Sequence, residues 1–178
     1  NIFSSNDLEM FKIEELDTHG GSLRVYAQKL GSGRRPIEYS VKNMINKEII
    51  QGVMSFEFYS GFQKKVDIVR DNLVSFLLNA KERGEKVVGY GAAAKGNTLL
   101  NFSGISPELM HYVIDRNPVK QGKFLPGSGI PIVSEDRLKL DCPEYIVVLP
   151  WNLKKEITYQ LSYIKSWGGR FITAIPEL

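Results

Sequence analysis

Cysteine and histidine are nearly absent from this chain, and their scarcity removes several chemistries at once. The single cysteine, Cys142, excludes an internal disulfide and a cysteine-based zinc site. It stands beside Pro143 ahead of an apolar stretch, so it reads as a small buried or loop residue and not as a nucleophile. His19 and His111 are the only histidines, which leaves no metal-binding cluster in the sequence. No apolar run approaches the ~20 residues that span a bilayer, and no signal-peptide pattern opens the chain. Charge of one sign is scarce too: 23 Lys and Arg against 20 Asp and Glu leave a formal +3. That is too little for a nucleic-acid binder, and no dense Lys/Arg stripe is interleaved with aromatics. These absences predict a cytoplasmic protein with neither nucleic acid nor membrane as partner.

What is present is ordinary for a globular chain: 178 residues, 43% hydrophobic and 24% charged. That length supports one good core with an appendage, or two small units. The opening Asn1-Ile2-Phe3-Ser4-Ser5-Asn6 does not read as a natural start, and the expectation is a fragment of a larger chain.

Two strands are expected within 8–29. Leu23, Val25 and Ala27 alternate with Arg24, Tyr26 and Gln28, and Asp17-Thr18-His19-Gly20-Gly21-Ser22 supplies a glycine turn. Two strands alone make no stable domain, so this hairpin reads as the end of a larger sheet. A linker by composition follows at 31–36. Helices are expected at 40–51, with Val41, Met44, Ile45 and Ile49 inward and Gly52 as its stop, and at 55–83, with Ser55 as N-cap and Gly84 as its stop. The second carries an apolar stripe of Phe56, Tyr59, Phe62, Val66, Val69, Leu73, Phe76 and Ala80, read as packing surface. From Lys86 onward the pattern alternates. Strands are expected at 87–90, 112–115, 146–149 and 171–175, and helices at 95–102, 134–139 and 152–167. This predicts an α/β fold: a parallel, doubly wound, Rossmann-like sheet preceded by a long helix and an N-terminal β-hairpin. The expected divisions are 1–33, 34–84 and 85–178.

In such sheets ligands bind at the carboxyl ends of the strands, near the point where strand order reverses. The segment Gly89-Tyr90-Gly91-Ala92-Ala93-Ala94-Lys95-Gly96 leads from a strand into a helix, where glycines admit a ligand and free N–H groups attract an anion. It departs from the dinucleotide fingerprint, whose third glycine falls where this chain has Ala94. Lys95 near the start of a helix is disfavoured by about 0.3–1 kcal/mol. Lys154 and Lys155 repeat this after the third of these strands, and a bound phosphate turns both penalties into attraction. Asp115 ends a strand where a carboxylate can grip a ribose hydroxyl, or can merely start the turn Asp115-Arg116-Asn117-Pro118. The loop from Lys120 to Gly127 is either an anion-binding lid or a mobile connection, and Pro150-Trp151-Asn152 and the end of the last strand near Pro176 lie at two further strand ends. His19, close to Ser22 and Arg24, is the one histidine placed like a chemical group.

Thr18-His19-Gly20-Gly21-Ser22-Leu23-Arg24-Val25, Glu57-Phe58-Tyr59 and Gly89-Tyr90-Gly91-Ala92-Ala93-Ala94-Lys95-Gly96-Asn97-Thr98-Leu99-Leu100-Asn101 together resemble the SAM-dependent sugar C-methyltransferase family. The likeness continues through Asp115-Arg116-Asn117-Pro118, Lys120-Gln121-Gly122, Leu125-Pro126-Gly127, Leu149-Pro150-Trp151-Asn152-Leu153 and Trp167-Gly168-Gly169-Arg170-Phe171. The resemblance implies an enzyme of three parts: a zinc-binding region, a SAM-binding domain and a C-terminal Rossmann-like domain. It also implies the reaction. A base removes a proton beside the keto group of a nucleotide-linked deoxysugar, usually dTDP-linked, and the enolate takes the SAM methyl.

This chain resembles the last two strands of the central domain followed by the whole C-terminal domain. The zinc cysteines, the SAM glycine loop and the segment bearing the catalytic base are not in it, so no catalytic residue is assigned. SAM and zinc are expected in the full-length protein and neither in this fragment, which is expected to be inactive alone. The implied substrate contacts are His19, Gly20, Gly21, Ser22 and Arg24 on the hairpin. In the sheet domain they are Gly89, Tyr90, Gly91, Ala92, Lys95, Gly96, Asp115, Arg116, Asn117, Lys120, Trp151 and Asn152. The nucleotide-sugar and the SAM-binding domain are the expected partners. Two other readings stand beside this one: an NAD(P)-binding oxidoreductase domain using 89–96 and Asp115, and a vestigial Rossmann scaffold or dimerisation module.

Overall fold

Alternating polarity over the first thirty residues gives a two-stranded hairpin. β1 (Leu8–Leu16) and β2 (Ser22–Lys29) pair antiparallel, with Leu16 opposite Ser22 and a register shift between Met10 and Lys12. α1 (Tyr39–Gln51) packs on this hairpin. The Glu38 N–H donates to the Phe11 carbonyl at 2.8 Å and the Ile13 N–H to Ser40 Oγ at 3.1 Å. Phe11, Val41 and Met44 are buried there, whereas Ile45 and Ile49, expected inward, are exposed. The structure, a computed structural model, describes residues 1–175 in two compact units that divide between Gln63 and Lys64.

The helix expected over 55–83 is two helices, α2 (Phe56–Ser60) and α3 (Phe62–Glu82). Ser55 caps α2, its hydroxyl accepting from the Phe58 N–H at 3.4 Å. The break falls at Gly61, the residue type that costs a helix interior about 1 kcal/mol relative to Ala. The apolar stripe divides as well. Leu73, Leu77 and Ala80 are fully buried, while Phe56, Tyr59 and Phe62 are exposed.

Beyond α3 come β3 (Val87–Tyr90), α4 (Ala94–Phe102), β4 (Val113–Ile114), β5 (Ile132–Val133), α5 (Asp136–Asp141), β6 (Tyr145–Val148), α6 (Lys154–Gln160) and β7 (Arg170–Ile172). The five strands form one parallel sheet in the order β5-β4-β3-β6-β7. The expected α/β class and parallel, doubly wound topology are therefore observed. β5 had no counterpart in the sequence reading, because two residues between Pro131 and Ser134 carry no periodicity. The single helix expected over 152–167 is α6 between two 3-10 segments, Trp151–Leu153 and Ser162–Trp167, with Leu161 leaving helical geometry. The last strand begins at Arg170 and ends at Ile172, earlier than expected. The sequence's candidate ligand position near Pro176 lies outside the described residues.

Period-two alternation in the strands serves two faces. Val87 and Val147 pack with Leu73, Leu77 and Leu100 from α3 and α4, while Val88, Ile146 and Val148 pack with Leu138 of α5, Ile157 of α6 and Leu161 just beyond it. With both faces covered, the central strands are apolar throughout, as buried parallel strands must be. From β3 the chain winds one way to β4 and β5, then returns to β6 and β7 on the other side. The reversal lies between β3 and β6, and their carboxyl ends open the crevice where such sheets take ligands.

Candidate functional site

The turn after β3 fills that crevice, and packing explains three of its glycines. A Cβ on Gly96 would meet Leu149 Cβ at 2.6 Å, and one on Gly89 would meet Val113 Cγ2 at 2.8 Å. Gly91 has φ +87° and faces Pro150, whose Cδ would lie 2.6 Å from an added Cβ. These glycines let α4 and the segment after β6 close onto β3.

Around the turn two groups of side chains gather. On one flank, Asp115 at the end of β4 accepts from the Ala92 N–H at 2.9 Å and from Lys120 Nζ at 3.0 Å through Oδ2. Its Oδ1 accepts from the Asn117 N–H at 2.9 Å, and Asn117 Oδ1 in turn takes the Val119 N–H at 3.0 Å. Lys120 also donates to the Ala92 carbonyl at 2.9 Å, so both sides of the Ala92 residue are held. Gln121 donates to the Asp115 carbonyl at 2.9 Å. With the Gly91 N–H on the Ile114 carbonyl and the Ala93 N–H on the Gly91 carbonyl, the turn's own donors are satisfied within the chain.

On the other flank, Lys95 in the first turn of α4 donates to Asn152 Oδ1 and places its Nζ 4.6 Å from the centroid of the Trp151 ring. Lys154 reaches Thr173 Oγ1 at 3.2 Å. The first-turn N–H groups of Ala94, Lys95 and Gly96 have no acceptor among the described residues. A cation, an aromatic face and free N–H groups thus converge at the positive end of α4, which suits an anion carried on a larger organic group.

Two hollows adjoin the turn. One, of about 300 Å³, is lined by Tyr90, Gly91, Asp115, Arg116, Pro150 and Gln160 among others. Arg116 is held at its edge by Gln160 Oε1 at 3.2 Å and by Glu135 Oε2 at 3.7 Å. Glu135 also accepts from the Tyr90 hydroxyl at 3.1 Å and the Tyr163 hydroxyl at 3.2 Å. Burial, and next the Glu135 carboxylate, pushes Tyr163 up to about 12 and raises Tyr90 as well. Both phenols are therefore protonated donors at neutral pH. The second hollow, of about 400 Å³, lies between the start of α4 and the loop after β4.

The sheet residues singled out from the sequence thus come together in the second unit. His19, Gly20, Gly21, Ser22 and Arg24 lie in the first. There His19 adopts φ 57°, Ser22 Oγ donates to the Thr18 carbonyl at 3.0 Å, and Arg24 pairs with Glu14 at 3.4 Å. Sequence reasoning missed Glu135, Gln160 and Thr173, whose positions carry no motif.

Residues 17–176 match the family described as the C-methyltransferase C-terminal domain. The chain belongs to that family. This C-methyltransferase C-terminal domain is 33% identical over 176 residues to the C-methyltransferase NovU of Streptomyces niveus, a match that covers 99% of this chain and 42% of NovU. The chain therefore spans about two-fifths of the length of that relative. Among the described residues, no helix is long and apolar enough to cross a membrane, and no group of three or more His, Cys, Asp or Glu could hold a metal ion.

Proposed function

We propose that this chain is the C-terminal part of a cytoplasmic, SAM-dependent C-methyltransferase whose substrate is a dTDP-linked keto-deoxysugar. In this reading the crevice between β3 and β6 holds the nucleotide-sugar and helps to close the cleft over it. SAM supplies the methyl group from the part of the protein that this chain does not include. The residues here bind and orient the substrate: Lys95 with the first-turn N–H groups of α4 takes the diphosphate, and Trp151 and Asn152 position Lys95.

The observation that carries the reading is the placement of Lys95. A lysine in the first turn of a helix costs about 0.3–1 kcal/mol unless an anion offsets it. Here its Nζ lies over the Trp151 ring and donates to Asn152, in the segment that follows β6. The dinucleotide alternative is weakened by Asp115, because both carboxylate oxygens are engaged by the chain's own groups.

A thermal-shift series with dTDP, NAD and SAM tests the proposal. At a hundred times its dissociation constant, dTDP should stabilise the chain by about 2.7 kcal/mol, while NAD and SAM leave the melting temperature unchanged. Stabilisation by NAD alone would overturn the reading. A scaffold role is favoured by one observation, the internally satisfied Ala92–Asp115 turn, and it predicts no shift with any nucleotide. SAM turnover by this chain alone would contradict both readings.

A further inference from the structure

One glycine of this chain has no task in the conformation described. Of the 16 glycines, most have positive φ, and Gly89, Gly96 and Gly169 would each bring an added Cβ to within 3.0 Å of a neighbouring atom. Gly61 does neither. Its φ and ψ are −90° and 0°, which other residues tolerate, and a Cβ there would meet nothing within 4 Å. A glycine whose conformation alanine could adopt lowers stability, because the unfolded chain has more freedom to lose. The break between α2 and α3, as it stands, does not require glycine.

The sequence across the break is written for a single helix. The apolar stripe from Phe56 to Ala80 keeps steps of three and four through residue 61 with no change of phase. Two independent helices have no reason to share one phase. Only part of the stripe is used: Leu73 and Ala80 are fully buried, while Phe56 is 80% and Phe62 66% exposed. The broken and continuous forms also lie close in conformation. Gly61 needs a change of about 40° in ψ to reach ordinary helical values. Meanwhile α2 is held as one piece, by the Ser55 cap and by the Tyr59 hydroxyl, which donates to the Val53 carbonyl at 2.8 Å. Joining the helices would add backbone bonds across the break, and the low helix propensity of glycine opposes it. The two preferences meet at one residue, just before the division between the two compact units at Gln63 and Lys64.

We propose that residues 56–82 form a two-state element, exchanging between the broken pair of helices and one continuous helix, with Gly61 as the hinge. The exchange changes the direction in which the chain enters the second unit and leaves both units folded. Glycine is kept at 61 because alanine would hold the joined form. The inference does not depend on what the crevice between β3 and β6 binds, so it can stand or fall separately from the nucleotide-sugar reading.

The test is the distance between two spin labels on the full chain, one on the native Cys142 of the second unit and one on Lys42→Cys in α1 of the first. Both positions are exposed, and Cys142 is the single native cysteine. Pulsed electron resonance on this labelled chain is compared with the same chain carrying Gly61→Ala, whose added methyl faces open space and leaves the fold undisturbed. The expected result is two distance populations, one of which Gly61→Ala enriches about fivefold, the ratio set by the helix propensities of glycine and alanine. Backbone amide exchange over residues 61–64 should slow in the same variant, because a continuous helix protects those groups. A distance distribution that Gly61→Ala leaves unchanged would overturn the hinge. A changed distribution with no slowing of exchange at 61–64 would overturn the joined helix and with it the proposal.

Discussion

The two flanks of the glycine turn are built on opposite terms. Toward β4, the Ala92 N–H and carbonyl are held by Asp115 and Lys120, and Asp115 also receives the Asn117 N–H. Toward α4, the first-turn N–H groups have no acceptor and the buried Asn97 Oδ1 has no donor among the described residues. One flank is a closed network; the other is a set of groups still lacking partners. Closed networks contribute to folding, whereas unsatisfied groups beside a hollow are stabilised by what binds there. A glycine-rich turn after a strand does not by itself say which flank faces the ligand. The hydrogen-bond partners do.

Substitutions can break this division, because those on the closed flank should affect stability and those on the open flank affinity. Gly91, the pivot between them, should give the largest effect. At φ +87° with Pro150 in the way, Gly91→Ala combines left-handed strain with overpacking and should cost about 3 kcal/mol or more in urea unfolding. Asp115→Ala leaves the Ala92 N–H and Lys120 without their acceptor, and should cost about 2 kcal/mol by the same measurement. A loss below about 0.5 kcal/mol would mean that the network is not structural. Lys95→Ala should leave stability within about 0.5 kcal/mol, since relief from the helix dipole offsets the lost contact with Trp151.

A smaller effect lies further along the same wall. Tyr163 is raised to about 12 by burial and then by Glu135, so its protonated form is favoured in the folded state. The resulting stability is fully present below pH ~10, the unfolded value, and is lost as pH rises through the folded value. The urea midpoint should therefore fall between pH 10 and 12. Tyr163→Phe should flatten that fall by about 1 kcal/mol, leaving the part that belongs to Tyr90 and Tyr112, which burial also raises. An unchanged slope would show that the Tyr163 phenol is not held protonated by the fold.

Much of this arrangement could be read before the structure, and the exceptions have physical causes. β3 and β6 lie in short, largely apolar runs that stop at Gly91 and Pro150, and such runs announce a buried parallel strand. The Ser55 cap and the Gly52 stop were equally plain, because capping is local chemistry. β5 was invisible because its two residues become a strand only by pairing with β4. The break at Gly61 was hidden by an apolar stripe that runs through it without interruption.

In the site, Lys95 stood out because a cation at a helix start conflicts with the dipole. Asn97 did not, since its lack of partners among the described residues depends on how the chain packs around it. The two readings of Asp115 stood open in the sequence for a related reason. A carboxylate at a strand end looks alike whether it grips a ribose or its own loop, and only the partners Ala92 and Lys120 separate the two.

The central claim is that the open flank takes the diphosphate of a nucleotide-sugar through Lys95. Isothermal titration of dTDP into the unmodified chain and into Lys95→Ala, at matched ionic strength, tests it most directly. The account predicts saturable one-to-one binding to the unmodified chain and at least tenfold weaker binding to Lys95→Ala, with the urea midpoints of the two proteins the same. Equal affinity in the two proteins, or binding of NAD in place of dTDP, would contradict it.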